Sequence, residues 1–289
     1  MITIQENLSN LIAVNERAML IAVRSWMYSA HIQIRRDLTA KFKKDVTTEL
    51  TDWELIEDQG VRTIKPVTLK IMQSGGNQAY KHLALTGSFD VLNVRAVGAA
   101  EKLCAKLVKE VTAETKKGIR TYISAGIKEG KSMPKIAKEL RPLVGLTKNQ
   151  TESIMNYRKL LEDKDKFPRL TQTTINRKVQ RYSDKTHRRR MATIARTETA
   201  RAQNIGYVQG LEEVGVKQTE FSASPDACEI CEGLDGTIYL VGEAVGIIPQ
   251  HPNCRCAMLP VVDTKTISRP LKKPPAKLAV TKKKRLTNV

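Results

Sequence analysis

Cys228-Glu-Ile-Cys231 and His251-Pro-Asn-Cys254-Arg-Cys256 hold four of the five cysteines of this 289-residue chain. Two thiols at i, i+3 can share one side of a tight turn, and a second pair beyond a short loop closes a tetrahedron. Gly233-Leu-Asp-Gly236 supplies a turn after the first pair, and Pro249 and Pro252 stiffen the approach to the second. The spacing predicts a structural zinc site with Cys228, Cys231, Cys254 and Cys256 as ligands. His251 stands beside them as a spare ligand or a group that orients them. The same cysteines could instead form one or two disulfides, or stay reduced around a small core. Four thiolates would fill a coordination sphere and leave no position for a substrate water, so the expected metal is a staple.

The residues around this stretch alternate. Thr219, Phe221 and Ala223, then Ile238 and Leu240, then Met258 to Val262, read as short strands, so the site is expected on a small antiparallel sheet. So small a sheet has a thin core, which a metal clip would offset. Upstream, the periodicity is helical. Leu8, Leu11, Ile12, Met19, Val23 and Trp26 follow 3–4 spacing within about residues 6–44. Residues 90–129 carry another apolar stripe, on which Cys104 is a small core residue, and Gly130 ends it. Ser132 opens a short helix limited by Pro142, and Thr147-Lys-Asn-Gln150 has the capping-box pattern. Thr171 starts the longest helix, running to Glu213 before Gly215. Between residues 51 and 88, Gly60, Pro66 and Gly75-Gly76 interrupt the pattern, and short strands or irregular connections are expected there. The fold class is mainly α with a small α+β C-terminal lobe. The regions are 1–88, helical and irregular, of unassigned role; 89–213, a basic helical domain; 214–262, the cysteine-rich lobe; and 263–289, a disordered basic tail.

Charge is the strongest compositional feature. The net charge is +19, and only 4% of residues are aromatic. Residues 91–213 hold 27 Lys and Arg against 13 Asp and Glu, a balance of +14. The tail 263–289 carries +8, whereas residues 214–262 carry −4. A polyanion partner is expected on the middle region and the tail, not on the cysteine lobe. Arg177, Arg181, Lys185 and Arg188 fall on one face of the long helix, and Arg189 and Arg190 widen it. This stripe suits non-specific contact with double-stranded DNA; a merely solvated face is the alternative. His187 among them reads as a surface group. Glu198 shares a face with Ile194, Ala202 and Ile205, so a structural ion pair with Arg201 is expected in preference to a general base. No run of about eighteen uncharged apolar residues occurs, so no membrane association is expected, and five cysteines with one isolated suit a reducing compartment.

The second half resembles the head-morphogenesis (Mu F-like) family of tailed-phage minor head proteins. The resemblance rests on Ile194-Ala-Arg-Thr-Glu-Thr199, Asn204 and Gly206, Asp226 before Cys228-x-x-Cys231, Leu234-Asp-Gly236, and His251-Pro-Asn-Cys-Arg-Cys256 ahead of Pro260. Phe89-Asp90, Glu129-Gly130, Gly145-Leu-Thr147 and Tyr157-Arg158 extend it upstream, to about residues 89–262; Ala227 stands where the family often has another residue. The resemblance implies a virion protein that meets portal and major capsid proteins during head assembly in the host cytoplasm, some relatives contacting packaged DNA. No catalysis and no small-molecule substrate are expected, because the upstream region shows no phosphate-binding glycine loop and no paired acids at useful spacing. A toxin-related or nucleic-acid-modifying enzyme, or a non-viral zinc protein that binds nucleic acid, are the competing classes. Only about thirty residues follow the lobe, too few for a fused catalytic domain.

Overall fold

The computed structural model describes residues 3–41 and 51–261; the expected tail, 263–289, lies outside them. Six helices make up most of the chain: α1 (Ile4–Lys41), α2 (Trp53–His82), α3 (Val94–Lys128), α4 (Met133–Leu140), α5 (Lys148–Glu162) and α6 (Gln172–Glu213). The lobe follows as β1 (Gln218–Ser222), α7 (Glu229–Glu232), β2 (Ile238–Leu240), α8 (Val241–Ala244) and β3 (Ala257–Val261). Its antiparallel sheet has the order β2-β1-β3, with Thr219 opposite both Tyr239 and Pro260. The expected fold class is therefore the observed one.

Local chemistry sets the boundaries. Asp52, Asn93, Thr147 and Thr171 each accept a backbone N–H of the first turn that follows, at α2, α3, α5 and α6. Thr147 and Gln150 complete the reciprocal capping box. Gly130 and Gly215, with φ of +66° and +84°, sit just past α3 and α6 in the left-handed conformation that ends helices.

The expectation of strands or irregular chain across 51–88 is corrected, because Trp53–His82 is one helix. Pro66 interrupts its hydrogen bonding on an exposed face, where the freed carbonyl of Arg62 can be solvated. The glycines are sites of close approach, not breaks. A Cβ on Gly75 would lie 2.2 Å from the Gln203 carbonyl oxygen of α6, and one on Gly206 would lie 2.0 Å from that of Met72. On Gly60 it would strike the indole of Trp26 at 2.7 Å. Helices α2 and α6 therefore cross backbone to backbone.

Three buried clusters result. Met19, Trp26, Ile64, Met72, Val108 and Ile205 fill the first, between α1, α2, α3 and α6. Ile34, Ile119, Leu140, Ile154, Ile175 and Val179 fill another at the start of α6. Tyr207, Leu211, Phe221, Tyr239 and Met258, with Cys231, Cys254 and Cys256, form the third, beneath the sheet. Helix α6 contributes to all three. Cys104 is buried in the first cluster, its sulfur 3.3 Å from the Thr68 hydroxyl.

Candidate metal centre and basic helix face

The turn after β1 brings the two cysteine pairs together. Phe221 N–H donates to the Thr237 carbonyl and Gly236 N–H to that of Phe221, closing a loop that carries α7. Cys228 caps α7, and Cys231 lies one turn on, fully buried. From the other side, the segment 251–256 places Cys254 and Cys256 against it, both buried.

Two groups of ligand atoms result, each lying within 4.8 Å: Cys231, Cys254 and Cys256, and Cys228, Cys231 and His251. Cys231 belongs to both. Its sulfur is 3.9 Å from that of Cys254, too far for a disulfide, and all five cysteines are free. That spacing matches the ligand–ligand edge of a tetrahedral thiolate site, about 3.8 Å for metal–sulfur bonds of about 2.3 Å. The donor set thus fits a metal ion. His251 Nδ1 is 2.9 Å from the Pro252 carbonyl oxygen, which can only accept, so Nδ1 donates and Nε2 is the nitrogen left for a metal.

The three buried sulfurs perturb one another. The Cys256 thiol, with backbone N–H groups of Cys256 and Gln250, holds Cys254 well below the usual thiol range. Burial and the charge of Cys254 push Cys231 up, and the bond to Cys254 together with burial pushes Cys256 up. One thiolate is tolerated and two more are resisted. A divalent cation would remove that conflict.

Several residues that the spacing of the cysteines did not single out brace this centre. Asp226 and Arg255, each two residues before or one after a cysteine, form an ion pair across the two segments. Asp235 accepts the Ala223 N–H at 2.7 Å. Asn253, at φ +63°, donates its N–H to the Thr197 hydroxyl of α6 at 3.1 Å, docking the loop on the helix. Asp226, Asp235, Asn253, Arg255 and Thr197 all lie in the segments that carry the family resemblance, which singles them out without showing their roles.

The expected basic stripe lies on the first half of α6. Arg177, Arg181, Lys185, Arg188 and Arg189 are exposed, and none forms an ion pair among the described residues. Arg190 is corrected: its side chain turns inward, its Nε is buried without a hydrogen-bond partner, and burial lowers its pKa with Glu114 opposing. His187 is likewise no surface group, since its ring meets the Pro142 carbonyl at 3.1 Å and burial lowers its pKa. A one-residue step on a helix turns a side chain by about 100°, which a long charge run conceals. Glu198 is buried, its carboxylate 3.2 Å from Arg201 Nε; burial raises its pKa and Arg201 opposes the rise. Among the described residues, no helix is long and apolar enough to cross a membrane.

Among known families, residues 170–259 match the one described as Phage Mu protein F like protein. The match opens at the cap of α6 and closes within β3, so it spans the long helix and the cysteine lobe together. The resemblance read from the sequence holds over those residues. No curated protein and no solved structure matches the chain.

Proposed function

We propose, from the premise that residues 170–259 are a Phage Mu protein F-like region, that the chain is a structural, non-catalytic component of a tailed-phage head. It acts near the portal during head assembly, in contact with portal and major capsid proteins. The carrying observation is that the match coincides with one structural unit: the long helix and the lobe clamped to it through Thr197 and Asn253. Co-expression with the portal and major capsid proteins of the same phage tests this. The chain is expected to sediment with assembled heads, and its recovery only as free protein would refute the role.

Zinc is the proposed ion, held by Cys231, Cys254 and Cys256 with Cys228 as the fourth ligand and His251 as its alternate. A closed set of thiolates supplies cross-linking and no open position for chemistry. Its effect is to fix the lobe, whose core the three buried cysteines share with Tyr207 and Phe221.

A second reading, non-specific contact with packaged double-stranded DNA, is favoured by the unpaired exposed cations on α6. Reversing the charges of Arg177, Arg181, Lys185 and Arg188 should flatten the dependence of log K on log salt by roughly 3–4. An unchanged affinity and slope would refute it.

A further inference from the structure

A separate concavity opens between α1, α4, α5 and the start of α6, with a volume of about 720 Å³. Its walls carry Arg35, Lys135, Lys138 and Arg158, and its α6 side offers the amides of Gln172, Asn176 and Gln180. Among the described residues that line it the one acid is Glu139, and that carboxylate is already engaged. The Tyr122 hydroxyl donates to it at 2.6 Å, Lys131 Nζ lies at 3.0 Å and Arg158 Nη1 at 3.8 Å. The Arg158 guanidinium meets Asn176 Oδ1 at 2.9 Å, Glu139 at 3.8 Å and Glu162 at 3.5 Å through Nη1. Arg158 is 7% exposed, so its guanidinium is held in place at the floor of the cleft. Lys135 and Lys138 are exposed at the rim, without ion pairs among the described residues. The first turns of α4 and α6, through Pro134 and Gln172, add the partial positive charge of helix N-termini.

We infer that this cleft is a binding site for a phosphate-bearing ligand of two or three nucleotides' size, with Arg158 on its floor and Lys135 and Lys138 at its mouth. A fixed guanidinium gripping phosphate through paired N–H groups, with mobile ammonium groups around it, is the usual chemistry of such recognition. The volume is that of a small-ligand cavity, and a duplex about 20 Å across would not enter. This site is therefore distinct from the exposed stripe on α6. The shared chemistry has two sources, a free polyphosphate and the phosphorylated end of a nucleic-acid strand.

The test is calorimetric titration of the full chain at low salt with inorganic tripolyphosphate and with a 5′-phosphorylated trinucleotide. The double variant Lys135→Glu, Lys138→Glu is compared with Lys102→Glu, Lys109→Glu on α3, which changes net charge by the same amount away from the cleft and from the basic face of α6. Both pairs are exposed, so neither threatens the fold. Saturable binding is expected, weakened about tenfold or more by the α4 pair and within twofold of wild type for the α3 pair. Tighter binding of the trinucleotide would make the source a strand end; binding of tripolyphosphate alone would make it a free anion. No saturable binding of either probe, or equal losses in the two variants, would overturn the site.

Discussion

The crossing of α2 and α6 gives a sharp stability test in which one substitution changes sign with its place. At Gly206, the added methyl of alanine would lie 2.0 Å from the Met72 carbonyl oxygen and 2.6 Å from its carbonyl carbon. Ordinary contact begins at 3.4 Å, so the helices must part by about 1.4 Å along that direction. The obstacle is backbone and cannot swing aside. Overpacking of this kind costs about 1–3 kcal/mol and more where nothing yields, so about 3–4 kcal/mol is expected here. Alanine recovers about 1 kcal/mol as the better helix former, leaving a net loss of about 2–3 kcal/mol. Gly98, within α3, has nothing within 4 Å of its would-be Cβ. There the same change keeps only the gain, about 0.5–1 kcal/mol. Thermal unfolding followed by circular dichroism at 222 nm should show Gly206→Ala falling by about 5–10 °C and Gly98→Ala rising by about 2 °C. A Gly206→Ala midpoint at or above wild type would refute the reasoning, because the interhelical contact would then have room to spare.

Other expectations concern the lobe and a buried histidine. Protein purified under reducing conditions should carry about one zinc per chain by elemental analysis. Cys231→Ser, which removes the sulfur common to both ligand groups, should abolish it and make the lobe sensitive to protease while α2 and α6 stay helical; full retention of metal would contradict the assignment. Comparing Cys228→Ser with His251→Ala identifies the fourth ligand, as the variant with the larger loss of metal affinity. Burial, with the charges of Arg35 and His187, lowers the pKa of His31 from 6.5 to about 4. The unfolded chain then binds the proton first, so the stability this residue contributes is full above pH 6.5 and fades as the pH falls towards 4. His31→Gln should flatten the denaturation midpoint against pH across that window; an unchanged slope would show that the ring titrates normally in the folded protein.

How much could be read in the sequence depended on whether a residue's reason lay beside it in the chain. Thr147 and Gln150 cap a helix three residues apart, Thr171 and Gly215 bracket another, and the alternation of Thr219 and Phe221 marks a strand. All of these are local, and all are seen. Gly75 and Gly76 were read as breaks because their reason is α6 and Phe89, the first more than a hundred residues away. Pro66 misled for a different reason, since its cost depends on which face of the helix meets water. At the candidate site the cysteines stood out by type and spacing. Thr197 lies in a segment that carries the resemblance, but its role does not show there, because a hydroxyl becomes a dock for the Asn253 N–H only once the lobe folds back on the helix. Arg190 looked like its neighbours in composition and differs from them by rotation alone.

Helix α6 runs unbroken from Gln172 to Glu213, past the exposed cations and on to the residue that seats the lobe. From Arg177 to Thr197 is twenty residues, about 30 Å at 1.5 Å each. With no joint along that span, the lobe and the cations keep one fixed separation and one fixed angular offset. The helix is thus a molecular ruler: a partner gripping both ends must present its own contacts at that distance, and inserting or deleting residues between them would change both reach and bearing.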